Sequence, residues 1–148
     1  MKKEQEEQAS KSREAELYFD TNVFVYAAAD EGDIGEEARK ILEETKNGKY
    51  RAFTSTLTID EILWAIQKEL NKVKEAKIAE DFLSMENLEF ISVDLNIIKE
   101  SINNYKESLD PRDAIHLASM QSKKIKTILS TDSDFDKIKG IKRIDFTK

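Results

Sequence analysis

Short runs of β-forming residues alternate along this chain with longer stretches of helical period, and this alternation restricts the fold more than any other feature. The runs predict four strands and a weaker fifth, at Leu17–Phe19, Ala52–Thr54, Leu88–Val93, Thr127–Leu129 and Arg143–Phe146. Strands separated by helices are typical of a parallel sheet that is covered on both faces. We therefore predict an α/β fold, a three-layer α/β/α sandwich around a central parallel sheet of four to five strands.

Helical periods fill the intervals between these strands. Apolar residues keep a spacing near 3.6 over Ile34–Thr45, Ile59–Leu70 and Leu95–Leu109. A further helix from Pro111 to about Ser122 is predicted, because Asp110 is a side-chain cap placed before a proline at the first helical position. Thr58 and Glu61 have the spacing of a capping box at the start of another helix.

Length and composition predict one domain with a short charged extension. The 148 residues match one domain, and 39% hydrophobic content is enough for a single core. Residues 1–15 are nearly all charged or polar, which predicts a charged and loosely ordered arm before a domain over residues 16–148. The longest apolar run, Val23–Ala29, is too short to span a membrane. With no cysteine and no apolar stretch near residue 1, a cytoplasmic protein without a membrane partner is expected.

Charge and residue types narrow the chemistry. A net charge of −6 argues against a broadly basic surface for nucleic acid. His116 is the single histidine, so histidine-rich metal sites and paired-histidine catalysis are excluded. We interpret His116 as a packed or hydrogen-bonded residue rather than a catalytic one. Any catalysis must therefore use carboxylates.

Four carboxylates from distant segments are expected at one edge of the sheet. Asp20 directly follows the first strand, and Asp132 follows the fourth. Glu61 and Asp113 lie in the first turns of helices that start at the same carboxyl edge, where ligands of such sheets collect. Clustered carboxylates oppose one another's ionisation unless a cation joins them, and oxygen ligands favour Mg²⁺ or Mn²⁺. Such ions can support hydrolysis of a phosphodiester.

Each of these acids also has a structural interpretation. Glu61 can belong only to its capping box, Asp113 can simply favour a helix N-terminus, and Asp20 can be part of an ordinary turn. Chance, however, would scatter the acids over both edges of the sheet. Trp64 lies one residue off the apolar stripe of its helix, which favours a core or subunit contact over stacking on an unpaired base.

Four segments resemble the PIN domain, the metal-dependent ribonuclease fold of VapC-type toxins, over about residues 16–146. They are Phe19–Phe24, Thr58–Ile62, Arg112–Ala118 and Ser130–Phe135. The resemblance implies a catalytic and metal-binding quartet with one further metal-binding acid, and two supporting polar residues. The quartet is Asp20, Glu61, Asp113 and Asp132, the further acid is Asp134, and the supporting residues are Asn22 and Thr131.

The same resemblance implies hydrolysis of RNA phosphodiester bonds with Mg²⁺ or Mn²⁺, and a toxin that forms a homodimer and pairs with an antitoxin protein. Three basic residues near the acids are candidates for binding RNA phosphates: Arg112 beside Asp113, and Lys137 and Lys139 after the Asp132 loop.

Two other functions stay open at this point. A non-catalytic or RNA-processing PIN-like module could use its acidic pocket to dock a basic partner. A phosphate-handling enzyme of the haloacid-dehalogenase kind also places an aspartate after its first strand, but it needs a second aspartate two residues later. This chain has Asn22 there.

Overall fold

The structure, a computed structural model, describes residues 16–148. The charged arm predicted for residues 1–15 lies outside the described residues. Within the described part, no helix combines the length and the apolar character that crossing a bilayer requires.

A five-stranded sheet forms the middle layer. Its strands are β1 (Glu16–Phe19), β2 (Arg51–Ser55), β3 (Leu88–Ile91), β4 (Thr127–Leu129) and β5 (Lys142–Ile144). Their order is β3-β2-β1-β4-β5, and every neighbouring pair is parallel. The predicted parallel sheet is confirmed. The third strand stops two residues earlier than predicted, and the fifth is displaced toward the N-terminus.

Over residues 16–148, six α-helices connect the strands. They are α1 (Thr21–Ala29), α2 (Asp33–Lys46), α3 (Leu57–Ile66), α4 (Lys72–Leu83), α5 (Leu95–Lys106) and α6 (Pro111–Ser122), with a 3₁₀ turn at Ser133–Lys137. The periodic patterns do not predict α1 or α4. Helix α1 is apolar almost throughout and so shows no polar face, while α4 carries charge on most of its surface. The helix predicted to reach Leu70 ends at Ile66, because the backbone of Gln67 is extended.

Alternating side chains of the strands build the two sides of the core. On one face Phe19, Ala52 and Leu129 pack against residues of α1 to α4, including Phe24 and Ile62. On the other face Tyr18, Phe53 and Ile128 pack with Met120 of α6. Fully burying one large apolar side chain contributes about 1.5–3 kcal/mol, so both layers hold the sheet strongly. The predicted three-layer sandwich is confirmed.

The starts of α3 and α6 decide where two of the acids point. At α6, Asp110 Oδ1 accepts from the backbone N–H groups of Arg112 at 3.0 Å and Asp113 at 2.9 Å, as predicted. At α3 the predicted capping box is wrong, because the helix already begins at Leu57. The Thr58 hydroxyl instead contacts the Thr54 hydroxyl at 2.6 Å, and the Glu61 side chain is free for other partners.

Helix α5 presents its apolar stripe to the surface. Its exposed apolar side chains are Leu95, Ile98, Ile102 and Tyr105. The helix packs on α6 with a different face, where Asn104 Nδ2 donates to the Ala114 carbonyl at 3.2 Å and to Gln121 Oε1 at 3.0 Å. Periodicity therefore predicted this helix correctly, but its buried face is the one that carries Ile97, Ser101 and Asn104.

Candidate active site

The four acids expected to meet line one cavity at the carboxyl edge of the sheet. Asp20 follows β1, and Asp132 follows the end of β4 by three residues. Glu61 lies on α3, and Asp113 lies in the first turn of α6. All four line a cavity of about 400 Å³. The structure therefore brings together the quartet that the sequence analysis assembled from separate segments.

Asp20 is buried and held by hydrogen bonds. Its Oδ1 accepts from the backbone N–H of Thr21 at 2.8 Å, which caps α1, and its Oδ2 accepts from the Ser130 hydroxyl at 2.5 Å. Burial raises the pKa of Asp20, although the charge of His116 and these hydrogen bonds act in the opposite direction. Ser130 belongs to one of the four segments that resemble the PIN domain, but no role in the site was predicted for it.

A buried histidine organises Glu61. His116 Nε2 lies 2.5 Å from Glu61 Oε1, and its Nδ1 lies 2.6 Å from the Tyr18 hydroxyl oxygen. The Thr21 hydroxyl also donates to Glu61 Oε1 at 2.9 Å. This agrees with the interpretation of His116 as a packed, hydrogen-bonded residue. Because its ring contacts two site acids, Asp20 and Glu61, the histidine belongs to the site itself.

The pKa shifts of this group favour an ion pair. Burial alone raises the pKa of Glu61, but hydrogen bonding to His116 and the histidine's charge outweigh it, and the pKa is lowered. Burial lowers the pKa of His116, but Glu61 and Asp20 outweigh that effect and raise it. In the imidazolium form both ring N–H groups donate, one to Glu61 and one to Tyr18. Burial raises the pKa of the Tyr18 phenol, which therefore stays protonated.

Asp113 lies in a group of acids with few donors. Carboxylate oxygens of Asp113, Asp132 and Asp134 lie within 4.8 Å of one another. Asp113 Oδ2 is buried and accepts no hydrogen bond from the residues that the structure describes. Burial, followed by the neighbouring Asp132 carboxylate, raises the pKa of Asp113 to about 9. Without a cation, this group of acids therefore opposes the ionisation of Asp113.

This donor set fits a hard divalent cation. A buried carboxylate oxygen without a partner, next to two further carboxylates, is the arrangement that a cation stabilises. The available ligands are oxygens, and His116 already has partners at both ring nitrogens. Oxygen ligands of this kind suit Mg²⁺ or Mn²⁺ better than Zn²⁺ or copper.

Asn22 and Thr131 connect two edges of the cavity. Asn22 Nδ2 donates to the Thr131 hydroxyl oxygen at 2.9 Å and lies 3.4 Å from Asp20 Oδ2. Asn22 belongs to α1, and Thr131 belongs to the loop that carries Asp132. The contact therefore holds the Asp132 loop against the segment that carries Asp20.

The three candidate phosphate-binding residues lie at two different cavities. Arg112 is exposed and lines the acidic cavity. Lys137 and Lys139 line a different cavity between α5, α6 and the 3₁₀ turn. Lys137 Nζ also contacts Asp134 Oδ1 at 3.0 Å. The geometry therefore favours Arg112 for contact with a ligand of the acidic cavity.

Trp64 corrects one expectation from the sequence. Its side chain is 67% exposed, so placing it in the core is wrong. It lines the acidic cavity together with Val25, Tyr26 and Ala65. The available signal was its position three residues after Glu61, since residues three apart share a helix face.

Comparisons with known proteins agree with this geometry. The PIN domain family model matches residues 17–141. Ribonuclease VapC2 of Methanocaldococcus jannaschii is 27% identical over 151 residues, covering 92% of this chain and 93% of the relative.

Solved structures share the fold. DNA-bound VapBC from Salmonella typhimurium matches with a TM-score of 0.68 at 17% identity, over 88% of this chain and 98% of that one. VapC20 of Mycobacterium tuberculosis, a sarcin-ricin loop cleaving toxin, matches with a TM-score of 0.67 at 15% identity, over 81% and 92% of the two chains. With a parallel sheet of this order, acids gathered at its carboxyl edge and a family match across most of its length, the chain belongs to the PIN domain family.

Proposed function

We propose that this protein is a divalent-metal-dependent endoribonuclease that hydrolyses RNA phosphodiester bonds, and that it is the toxin of a toxin-antitoxin pair. Membership of the PIN domain family supports the fold and the class of chemistry. The relative named a ribonuclease matches this chain over nearly the full length of both proteins. RNA is accordingly the proposed substrate.

The observation that carries the proposal is the unpartnered oxygen of Asp113 beside Asp132 and Asp134. These three acids, with Asp20 and Glu61 across the same cavity, would hold Mg²⁺ or Mn²⁺. When bound, such an ion activates a water and stabilises the charge that develops on the phosphate.

The remaining residues of the site orient its carboxylates, hold the Asp132 loop in place or contact the substrate. His116 and the Thr21 hydroxyl fix the orientation of the Glu61 carboxylate. Asn22 and Thr131 keep the Asp132 loop in place. Arg112, exposed at the cavity, is placed to contact a phosphate of the substrate, and a guanidinium suits this role because it can donate two parallel hydrogen bonds.

The proposed partners are an antitoxin protein and a second copy of the chain. Structural neighbours include DNA-bound VapBC from Salmonella typhimurium and a toxin-antitoxin complex from Klebsiella pneumoniae. The exposed apolar stripe of α5 provides a surface for protein contacts. A cytoplasmic location remains part of the proposal, as expected for a toxin that cleaves cellular RNA.

RNA cleavage with defined metals tests the proposal. The purified protein should cut RNA with Mg²⁺ or Mn²⁺ and stop when EDTA is added. Asp113→Asn should lower the rate by about 100-fold or more, because it removes a carboxylate that holds the ion. Asp60→Asn is the matched control, since Asp60 is exposed on α3 and does not line the cavity. Equal rates for wild type and Asp113→Asn would reject the proposed site.

One alternative function is supported by the same unpartnered oxygen of Asp113. A buried acidic pocket with an unpartnered carboxylate can also accept an arginine of a partner protein. A non-catalytic or RNA-processing PIN-like module would then use the cavity for docking. A protein that binds such a partner tightly but shows neither cleavage nor any response to Mn²⁺ would support this alternative.

A further inference from the structure

A large aromatic side chain stands in the wall of the acidic cavity. Trp64 is 67% exposed and lines the cavity together with Glu61 and Arg112. Its position one helical turn after Glu61 keeps both side chains on the same side of α3. An indole so exposed contributes little to the core, and its position requires another explanation.

Along α3, the neighbours of Trp64 one helical turn away are polar, while Val25, Tyr26 and Ala65 line the cavity beside it. The positions one turn away along α3 and just beyond its end, Asp60, Gln67 and Lys68, are polar and exposed. A stable interface needs about 800 Å² from each partner and is depleted of charged residues at its centre. One tryptophan between polar residues and a carboxylate cavity instead suits a flat ligand with a charged backbone.

We propose that Trp64 stacks on an unpaired base of single-stranded RNA while Arg112 contacts a neighbouring phosphate, and that these contacts direct the scissile phosphate toward the acids. The inference rests on the proposed ribonuclease function and adds to it a residue that contacts a base of the substrate. Bases inside an A-form duplex are already stacked, whereas bases of loops and single strands are free to stack on aromatic side chains. Stacking of this kind tolerates different bases, because every base has a π-face.

The chain provides its own probe for this contact. Trp64 is the only tryptophan of the sequence, so intrinsic tryptophan fluorescence reports on this side chain alone. The Asp113→Asn protein, in which cleavage is expected to be about 100-fold slower or more, is titrated with three oligonucleotides in the presence of EDTA. They are a single strand, the same strand with abasic positions, and a fully paired hairpin. We expect fluorescence quenching with the single strand and little with the other two.

Binding and kinetics of variants complete the test. Trp64→Ala should weaken single-strand binding by about 10- to 100-fold, and Trp64→Phe should restore most of the affinity. In wild-type background, Trp64→Ala should raise KM and change kcat little. Val73→Ala is the control, because Val73 is 81% exposed on α4 but does not line the cavity. It should leave quenching, affinity and KM unchanged.

The outcomes separate this inference from the ribonuclease proposal. Quenching without cleavage by the wild-type protein would reject the nuclease function and keep the stacking contact. Cleavage with normal single-strand affinity in Trp64→Ala would reject stacking alone. Absence of binding to all three oligonucleotides would also overturn it. If Trp64→Ala dissociates a dimer in light scattering and leaves RNA affinity intact, the side chain is a subunit contact and the inference is wrong.

Discussion

The candidate site has two halves, which differ in how many hydrogen-bond donors their carboxylates have. In the histidine half, made of Asp20, Glu61 and His116, the carboxylates accept hydrogen bonds from protein groups and face an imidazole. In the aspartate half, made of Asp113, Asp132 and Asp134, one buried oxygen has no donor among the described residues. The protein therefore supplies partners to both carboxylates of the first half, while the second half keeps one buried oxygen that a cation could bind.

This difference explains the opposite pKa shifts of two site carboxylates. His116 lowers the pKa of Glu61 against the effect of burial, whereas burial and Asp132 both raise the pKa of Asp113. A carboxylate that already has donors is preorganised for its role. Where a carboxylate can bind either a proton or a metal ion, both the metal affinity and the unfolding free energy depend on pH.

The largest loss of stability is expected when the histidine half loses His116. His116→Leu leaves Asp20 and Glu61 without their buried partner, and breaking such a pair costs about 3–5 kcal/mol of unfolding free energy. Urea unfolding with Mn²⁺ absent measures this loss. Lys77→Leu is the control, because the Lys77–Asp81 pair is exposed and its loss should be barely measurable. A loss below about 1 kcal/mol in His116→Leu would show that the two halves do not differ as described.

The next effect is the response of the aspartate half to metal. A ligand that binds only the native state stabilises it by about 2.7 kcal/mol at a concentration 100 times its Kd. Mn²⁺ should therefore raise the Tm of the wild-type protein, and Asp113→Asn should lose most of that increase. Thermal unfolding with and without Mn²⁺ measures both, with Asp60→Asn as the matched control. A Tm that is indifferent to millimolar Mn²⁺ would favour the docking alternative.

The smallest effect is expected in the pH dependence of metal-free stability, which has opposite signs for Asp113 and Glu61. Because the pKa of Asp113 is raised to about 9, its contribution to metal-free stability is complete below pH 4 and is lost as pH rises toward 9. Glu61, whose pKa is lowered, contributes above its unfolded pKa and loses that contribution as pH falls.

Unfolding of wild type and Asp113→Asn at several pH values, with EDTA present, isolates this dependence. The asparagine variant should become the more stable of the two as pH rises, since it carries no proton to lose. A stability difference that stays constant from pH 5 to pH 8 would contradict the charge clustering inferred for the aspartate half.

Sequence patterns predicted most of the strands and helices of this molecule and its parallel sheet. Short runs of β-forming residues identified the strands, because both faces of a parallel sheet are covered by helices and its strands are therefore apolar on both sides. Helix α1 escaped prediction because its nearly uniform apolar surface has no period. The capping box at Thr58 failed because the helix already begins at Leu57, which places Thr58 inside its first turn.

The candidate site was likewise predicted only in part. The order of strands and helices determined that Asp20, Glu61, Asp113 and Asp132 start from one sheet edge, since parallel strands end together. Only the tertiary structure decided that His116 contacts Glu61 and that Asp113 lacks a donor. Pairing and desolvation depend on distances of a few ångströms between segments far apart in the chain, and a linear pattern does not contain those distances.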